Sequence, residues 1–289
     1  MRPVRLGALA WQVRPQPDVA SWAERLDREV AFAVSQGAEL LVLPEYAPLE
    51  IAIQPAPDLI GELRTACDLS PHAIDAARDI ARTHRIWLLA GTLPFRDGAR
   101  IHNRAPLVAP DGRVAYQDKH CMTRFESELW RIDPGQPPAV FDTDFGRIGI
   151  SICYDLEFPA LTRAQTEAGA WLILAPSCTD TLAGFNRVRI AARARAMENQ
   201  CFVALAPTVG HAPEFATLDE NHGHAGIYGP VDRGFADDGI VAESEMDRHG
   251  WVFADLDPAR LLAVRADGAV RNHRDHPALP PVAQPASFA

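Results

Sequence analysis

The sequence predicts a layered α/β fold. Three observations carry that expectation: short continuous apolar runs that suit strands buried on both faces, intervening segments whose apolar residues recur at helical spacing, and no linker that would divide the chain. Residues 4–13 read as a first strand. Asp18 then caps a helix in which Val19, Trp22, Leu26, Val30 and Ala33 share one face up to Gly37. Leu40-Leu41-Val42-Leu43 is a short apolar run closed by Pro44, hence a buried strand. Ser70-Pro71 places a capping hydroxyl and a first-turn proline at the start of a helix running to about residue 82. A strand at 86–91 follows, and Pro110-Asp111-Gly112 is a turn between strands at 101–109 and 114–117.

Residues 120–135 read as an irregular loop, with strand character resuming at 140–142 and 147–152. A helix at 160–168, a strand at 171–175, an Arg-rich helix at 187–199 and a strand at 202–206 continue the alternation. Further strands are expected near 225–228, 239–242 and 251–255. Residues 1–265 are expected to form one domain, and 266–289, rich in Pro and Ala without periodicity, an extended tail.

Composition narrows the function classes. With 47% hydrophobic and 23% charged residues the chain has ample material for a core. A net charge of -10, with the 28 Lys and Arg residues dispersed, argues against nucleic acid as a partner. No apolar run approaches the ~20 residues needed to cross a bilayer. Residues 6–11 are too short for a secretory signal, so a cytoplasmic protein is expected. The five cysteines show no paired spacing, which suggests neither a disulfide framework nor a thiolate zinc site.

Glu45, Lys119 and Cys153 each follow directly on a stretch that reads as a strand. Strand ends are where sites form in α/β sheets. A carboxylate, an ammonium and a thiol meeting there would supply a base for the thiol, a positive group for an oxyanion and a proton for a departing amine.

Three segments, Leu43-Pro44-Glu45, Asp118-Lys119-His120 and Ile152-Cys153-Tyr154-Asp155, resemble the signature segments of the nitrilase superfamily of carbon-nitrogen hydrolases in wording, order and spacing. Phe158-Pro159, Gly169-Ala170 before Pro176-Ser177, and residues 193–199 extend the resemblance, which covers roughly residues 4–257. It implies a four-layer α-β-β-α sandwich that assembles into a homodimer or larger oligomer through outer helices. It also implies Glu45 as general base, Lys119 as oxyanion stabiliser, Cys153 as nucleophile and the Tyr154 backbone N–H as second oxyanion donor. A second glutamate is implied on the loop after the lysine: Glu128, seven residues before Gly135, matches best, with Glu126 a near competitor. Cys-Tyr-Asp is similar to the amidase and carbamoylase branches, so the expected substrate is a small non-peptide amide or N-carbamoyl compound, cleaved without metal or organic cofactor.

Trp130, in the loop beside Glu128, and Cys178, after Pro176-Ser177, are candidates for the pocket wall, with Tyr154 and Glu126. Cys67, Cys121 and Cys201 read as structural, and His222 and His224 as an ordinary polar loop rather than a metal pair. Rival readings are nitrile hydrolysis or amide and acyl transfer on the same site, a silent scaffold, and a papain-like hydrolase with His120 as partner.

Overall fold

The structure is a computed structural model and describes residues 1–276. Strand β1 (Val4–Gln12) sends Leu6, Ala8 and Ala10 into one core and Leu9 and Trp11 into another, because successive strand side chains point to opposite faces. Both faces therefore need cover. Helix α1 (Val19–Ser35), started by the Asp18 carboxylate accepting from Ser21 N–H at 2.7 Å, lays Trp22, Leu26, Val30 and Ala33 over the outer face. Strand β2 (Leu40–Val42) lies parallel to β1. After helix α2 (Leu59–His84), β3 (Trp87–Leu89) adds parallel to β2. Strands β4 (Leu93–Asp97), β5 (Arg100–Val108) and β6 (Val114–Asp118) complete that edge in antiparallel pairing.

The second sheet has a parallel centre with antiparallel edges. Strand β7 (Val140–Thr143) pairs with β8 (Gly146–Ile150), helix α3 (Pro159–Glu167) crosses over, and β9 (Leu172–Ser177) lies parallel to β8. Helix α4 (Leu182–Asn199) leads to β10 (Phe202–His211), parallel to β9. Strands β11 (Glu220–Asn221) and β12 (Gly226–Tyr228) pair with β10, and β13 (Ile240–Glu243) with β12. Strand β14 (Gly250–Leu256) returns antiparallel to β1, and helix α5 (Pro258–Asp267) follows.

Facing side chains such as Leu6, Val42 and Leu107 from the first sheet and Ile148, Leu172 and Phe202 from the second share one core. Helices α1 and α2 cover the first sheet and α3 and α4 the second, giving the four-layer α-β-β-α sandwich. The sheets are joined where the end of β1 pairs with β10, Trp11 opposite Thr208 and Gln12 opposite Val209.

The strands expected from the apolar runs are present, and the turn at Gly112, with φ of 87°, closes the hairpin as its Pro-Asp-Gly wording implies. Other expectations need correction. Helix α2 does not begin at Ser70-Pro71; it starts at Asp58, which caps Ile60 N–H at 3.1 Å, and Pro71 sits inside it. Leu63, Ala66, Cys67, Ala73, Ile74 and Ala77 bury one continuous face across the proline, and that packing outweighs the backbone donor it removes. Helix α4 begins at Leu182 rather than 187, with the Thr181 hydroxyl accepting from Gly184 N–H at 3.1 Å. Residues 120–135 include a π-helical turn, Phe125–Trp130. Where an extended tail was expected from 266, α5 runs to Asp267 and a short helical turn occupies Asn272–Asp275. The rest of that tail, 277–289, lies outside the described residues. No helix among the described residues is long and apolar enough to cross a membrane.

Pro71 is solvent-exposed in mid-helix, so Pro71→Ala should restore a backbone hydrogen bond without disturbing packing. A stabilisation of about 2 kcal/mol is expected, read as a rise of several degrees in Tm; an unchanged or lower Tm would mean that the helix is strained elsewhere.

Candidate active site

Three strand ends bring the site together. Glu45 follows β2, and the chain turns sharply behind it: Tyr46 has φ of 59°, and Gly91 approaches so closely that a Cβ there would meet the Pro44 carbonyl oxygen at 2.3 Å. Lys119 follows β6, its N–H donating to Asn103 carbonyl at 2.8 Å and its carbonyl accepting from Gly135 N–H at 2.8 Å. Cys153 comes just after β8 and opens a short 3₁₀ turn, Cys153–Glu157, that has no side-chain cap. Its φ of 48° is rare for a non-glycine residue, a strain of the kind that clusters at functional sites. The N–H groups of such a first turn have no partners within the helix, and that of Tyr154 is one of them.

The ammonium of Lys119, buried with its side chain 1% exposed, lies 2.7 Å from Glu45 Oε1 and 2.7 Å from Glu126 Oε2. Asn103 Nδ2 stands 2.8 Å from Glu45 Oε1 and 2.9 Å from Glu126 Oε1. The Tyr46 hydroxyl donates to Glu126 at 2.7 Å, and Thr123 donates to it from both N–H and hydroxyl at 2.9 Å. The other oxygen of Glu45 accepts from Cys178 N–H at 3.0 Å. The sulfur of Cys153 accepts from the Ser177 hydroxyl at 3.4 Å and faces the Cys178 carbonyl at 3.5 Å. Asp155 accepts from the N–H groups of His120 (3.2 Å) and Cys121 (2.7 Å), tying the lysine loop to the cysteine turn.

Electrostatics gives the two carboxylates different characters. Burial opposes ionisation of Glu126, but Lys119 and the Thr123 N–H outweigh it and hold its pKa below the ordinary value. Burial pushes the Glu45 pKa up; Lys119 pulls it back and Glu126 adds to the rise. Burial also disfavours charge on Lys119, yet Glu126 and Glu45 together keep it well above an ordinary lysine. Burial, then the Glu45 charge, raise the Cys153 thiol well above an ordinary cysteine. The two carboxylates thus lean in opposite directions, Glu126, with more donors around it, toward the anion and Glu45 toward the protonated form.

These residues form the floor of a cavity of ≈ 250 Å³ whose walls include Phe125, Tyr154, Cys178 and Val188. Two expected residues are elsewhere. Glu128 points outward, its side chain 55% exposed and paired with Arg124 at 2.8 Å, because the π-helical turn that aims Glu126 inward carries a residue two positions on to the opposite side. Trp130 is not on the wall: it is buried behind Tyr46 and Phe125, its indole N–H donating to the Leu59 carbonyl at 3.0 Å. His120 does not line the cavity either. His222 pairs with Asp247 at 3.1 Å and His224 packs edge-on against Phe185. Tyr46, Asn103 and Thr123 escaped the sequence reading, and Ser177 entered it only within a resembling segment and without a role; each is a common polar residue whose importance comes from what the fold sets beside it.

A family model described as carbon-nitrogen hydrolase matches residues 7–265. The chain is 32% identical over 276 residues to probable hydrolase YhcX of Bacillus subtilis, covering 94% of this chain and 53% of that protein, so it spans about half of that relative's length. It is 29% identical to deaminated glutathione amidase of Synechocystis sp., covering 92% of this chain and 97% of the other. Among solved structures it superposes on Saccharomyces cerevisiae Nit3, of the nitrilase superfamily, with a TM-score of 0.76 at 24% identity, over 92% of this chain and 94% of that one. The amidase from Nesterenkonia sp. AN1, solved with acrylamide, matches with a TM-score of 0.70 at 26% identity, over 90% and 93% of the two chains. With the strand-end segments, the sandwich and the family match in agreement, the chain belongs to the carbon-nitrogen hydrolase family.

Proposed function

We propose that this enzyme hydrolyses a small non-peptide amide or N-carbamoyl compound through a thioester on Cys153. The observation that carries the reading is the buried Lys119 ammonium, 2.7 Å from both Glu45 and Glu126, on the floor of the cavity that Cys153 also lines. Glu45 takes the thiol proton as the sulfur attacks the amide carbon. That transfer leaves the charge of the pair unchanged, which matters because a free thiolate beside two carboxylates would be costly in this buried floor. The negative charge moves to the substrate oxygen, where Lys119 and the Tyr154 N–H receive it. Glu45 then protonates the leaving nitrogen, and ammonia or an amine departs as the carbon-nitrogen bond breaks. Water, deprotonated by Glu45, attacks the thioester; the acid leaves and the thiol is restored. A cavity of ≈ 250 Å³ is below the ~300–1,000 Å³ of sites for drug-sized ligands, which suits a small substrate.

Cys153→Ala should abolish ammonia release from a panel of aliphatic amides, ω-amides and carbamoyl amines while leaving Tm within a few degrees; ammonia still released by that variant would remove the cysteine from the chemistry. Glu45→Gln should lower kcat by roughly 10²- to 10⁴-fold. Since Glu45 works unprotonated and its pKa is raised, wild-type kcat/KM should fall with decreasing pH through a value above the ordinary carboxylate range. An acid limb at or below that range contradicts the role.

Glu126→Gln should lower kcat by at least tenfold and cost stability, because it removes one of two anions that neutralise a buried ammonium. Glu128→Gln breaks only an exposed pair, worth about 0–1 kcal/mol, and should leave the kinetics within twofold. The reverse order of effects would restore Glu128 as the second glutamate.

We also assign self-association to the outward face of α4. That helix buries Phe185, Val188 and Ala192 on one side, yet its outer side presents Ile190, 64% exposed, and Met197 next to Val231. A helix facing water would be polar there. Light scattering should report a dimer or larger species, shifted toward monomer by Ile190→Glu; a wild-type monomer at micromolar concentration rules the assignment out.

A further inference from the structure

We infer that the substrate carries a positive charge beyond its scissile amide, received at the cavity mouth by Asp180 and Asp219 with Glu157 beside them. The inference rests on the amide-hydrolysis reading above and extends it to the chemical class of the substrate. Around the mouth stand four carboxylates, Glu157, Asp180, Asp219 and Glu220, and a single guanidinium, Arg187. The chain as a whole has 38 acidic against 28 basic residues, so the mouth is far more one-sided than the general acidity of the molecule would make it.

The partners of these groups sharpen the point. Arg187 stands 3.4 Å from Glu157, which offsets its charge, and Glu220 is 3.1 Å from His211. The carboxylates of Asp180 and Asp219 have no hydrogen-bond or ion-pair partner among the described residues. Asp180 follows Thr179 directly after the cysteine-bearing end of β9, and its charge is felt at the Cys178 thiol in the cavity wall. Asp219 lies at the end of the wall segment 212–219, which is anchored from behind: Glu62, wholly buried on α2, accepts from Ala216 N–H at 2.6 Å and Thr217 N–H at 3.0 Å. Both unpaired carboxylates thus line the cavity, Asp219 at the end of a segment held from behind by Glu62.

The floor contributes independently. Glu45 and Glu126 surround one ammonium, so with both ionised the buried cluster keeps a surplus negative charge that solvent screens little. Between an acidic mouth and an acidic floor the walls carry Phe125, Tyr154 and Val188 together with the uncharged hydroxyls of Thr179 and Thr217, so no cation but Arg187 and Lys119 lies in the lining to offset the carboxylates. An amide whose far end is a carboxylate would have that carboxylate repelled by the mouth and by the floor's surplus charge, with only a guanidinium already facing Glu157 to receive it. An amide or carbamoyl compound whose far end is an ammonium or guanidinium meets complementary charge throughout.

The test uses three amides of similar length: 5-aminopentanamide, pentanamide and 4-carbamoylbutanoate. Ammonia release should give kcat/KM at least tenfold higher for the cation than for the anion at low ionic strength, with the ratio shrinking as salt is added. Asp180→Asn combined with Asp219→Asn should lower that ratio at least fivefold. Each ratio is taken within one protein sample, so partial loss of folded enzyme cancels. Turnover of pentanamide with no preference for the cation, or a ratio untouched by the double substitution, overturns the charge inference and leaves amide hydrolysis standing. No ammonia from any of the three sinks both.

Discussion

The lysine ammonium clasped by two carboxylates in a buried cavity floor is the constraint around which the rest of the molecule is arranged. Removing one partner of such a buried set costs about 3–5 kcal/mol, so the fold must deliver all three groups together and supply donors for every remaining oxygen. It does so with Asn103, Tyr46, Thr123 and the Cys178 N–H, drawn from four separate segments. The consequence is a division of labour between carboxylates of the same type. Glu126 accepts from more donors and its pKa is held down, whereas Glu45 has fewer and its pKa is raised by burial.

Rigidity follows from the same demand. Cys153 sits in a backbone conformation that most residues avoid, and the turn is stapled to the lysine loop by Asp155 through two N–H groups. Asp155 is buried and its pKa is raised by that burial, with the two backbone donors and Lys119 opposing the rise. The Cys-Tyr-Asp wording therefore has a structural reason for its third letter, independent of which substrate the cavity takes.

Much of the architecture was legible because apolar patterning dictates it. The short apolar run 40–43 suits a strand buried on both faces and 171–175 reads as another strand, and Glu45, Lys119 and Cys153 stood out by following strands. What escaped was what periodicity does not encode. The choice between Glu126 and Glu128 turned on spacing to Gly135, yet the segment is a π-helical turn whose handedness of exposure no spacing rule reports. Ser70-Pro71 has the wording of a helix start, and only the burial of residues on both sides of it reveals a helix passing through. Asn103 lies in an edge-ward strand with no distinguishing neighbour; its role exists only once β2, β6 and the 125–130 turn are brought alongside.

Strand β1 also determines how the molecule bears load as a mechanical object. It is laddered to β2 and β14 along its length and to β10 at its end, so the two sheets are not a pair of stacked plates but one folded sheet with a common spine. Sliding one half over the other would shear those ladders at Trp11 and Gln12, where the Glu50 carboxylate directly accepts from the Trp11 indole and from Arg25. The two halves are therefore tied through a shared backbone ladder, and the cavity is lined by side chains from the segments that follow the strand ends.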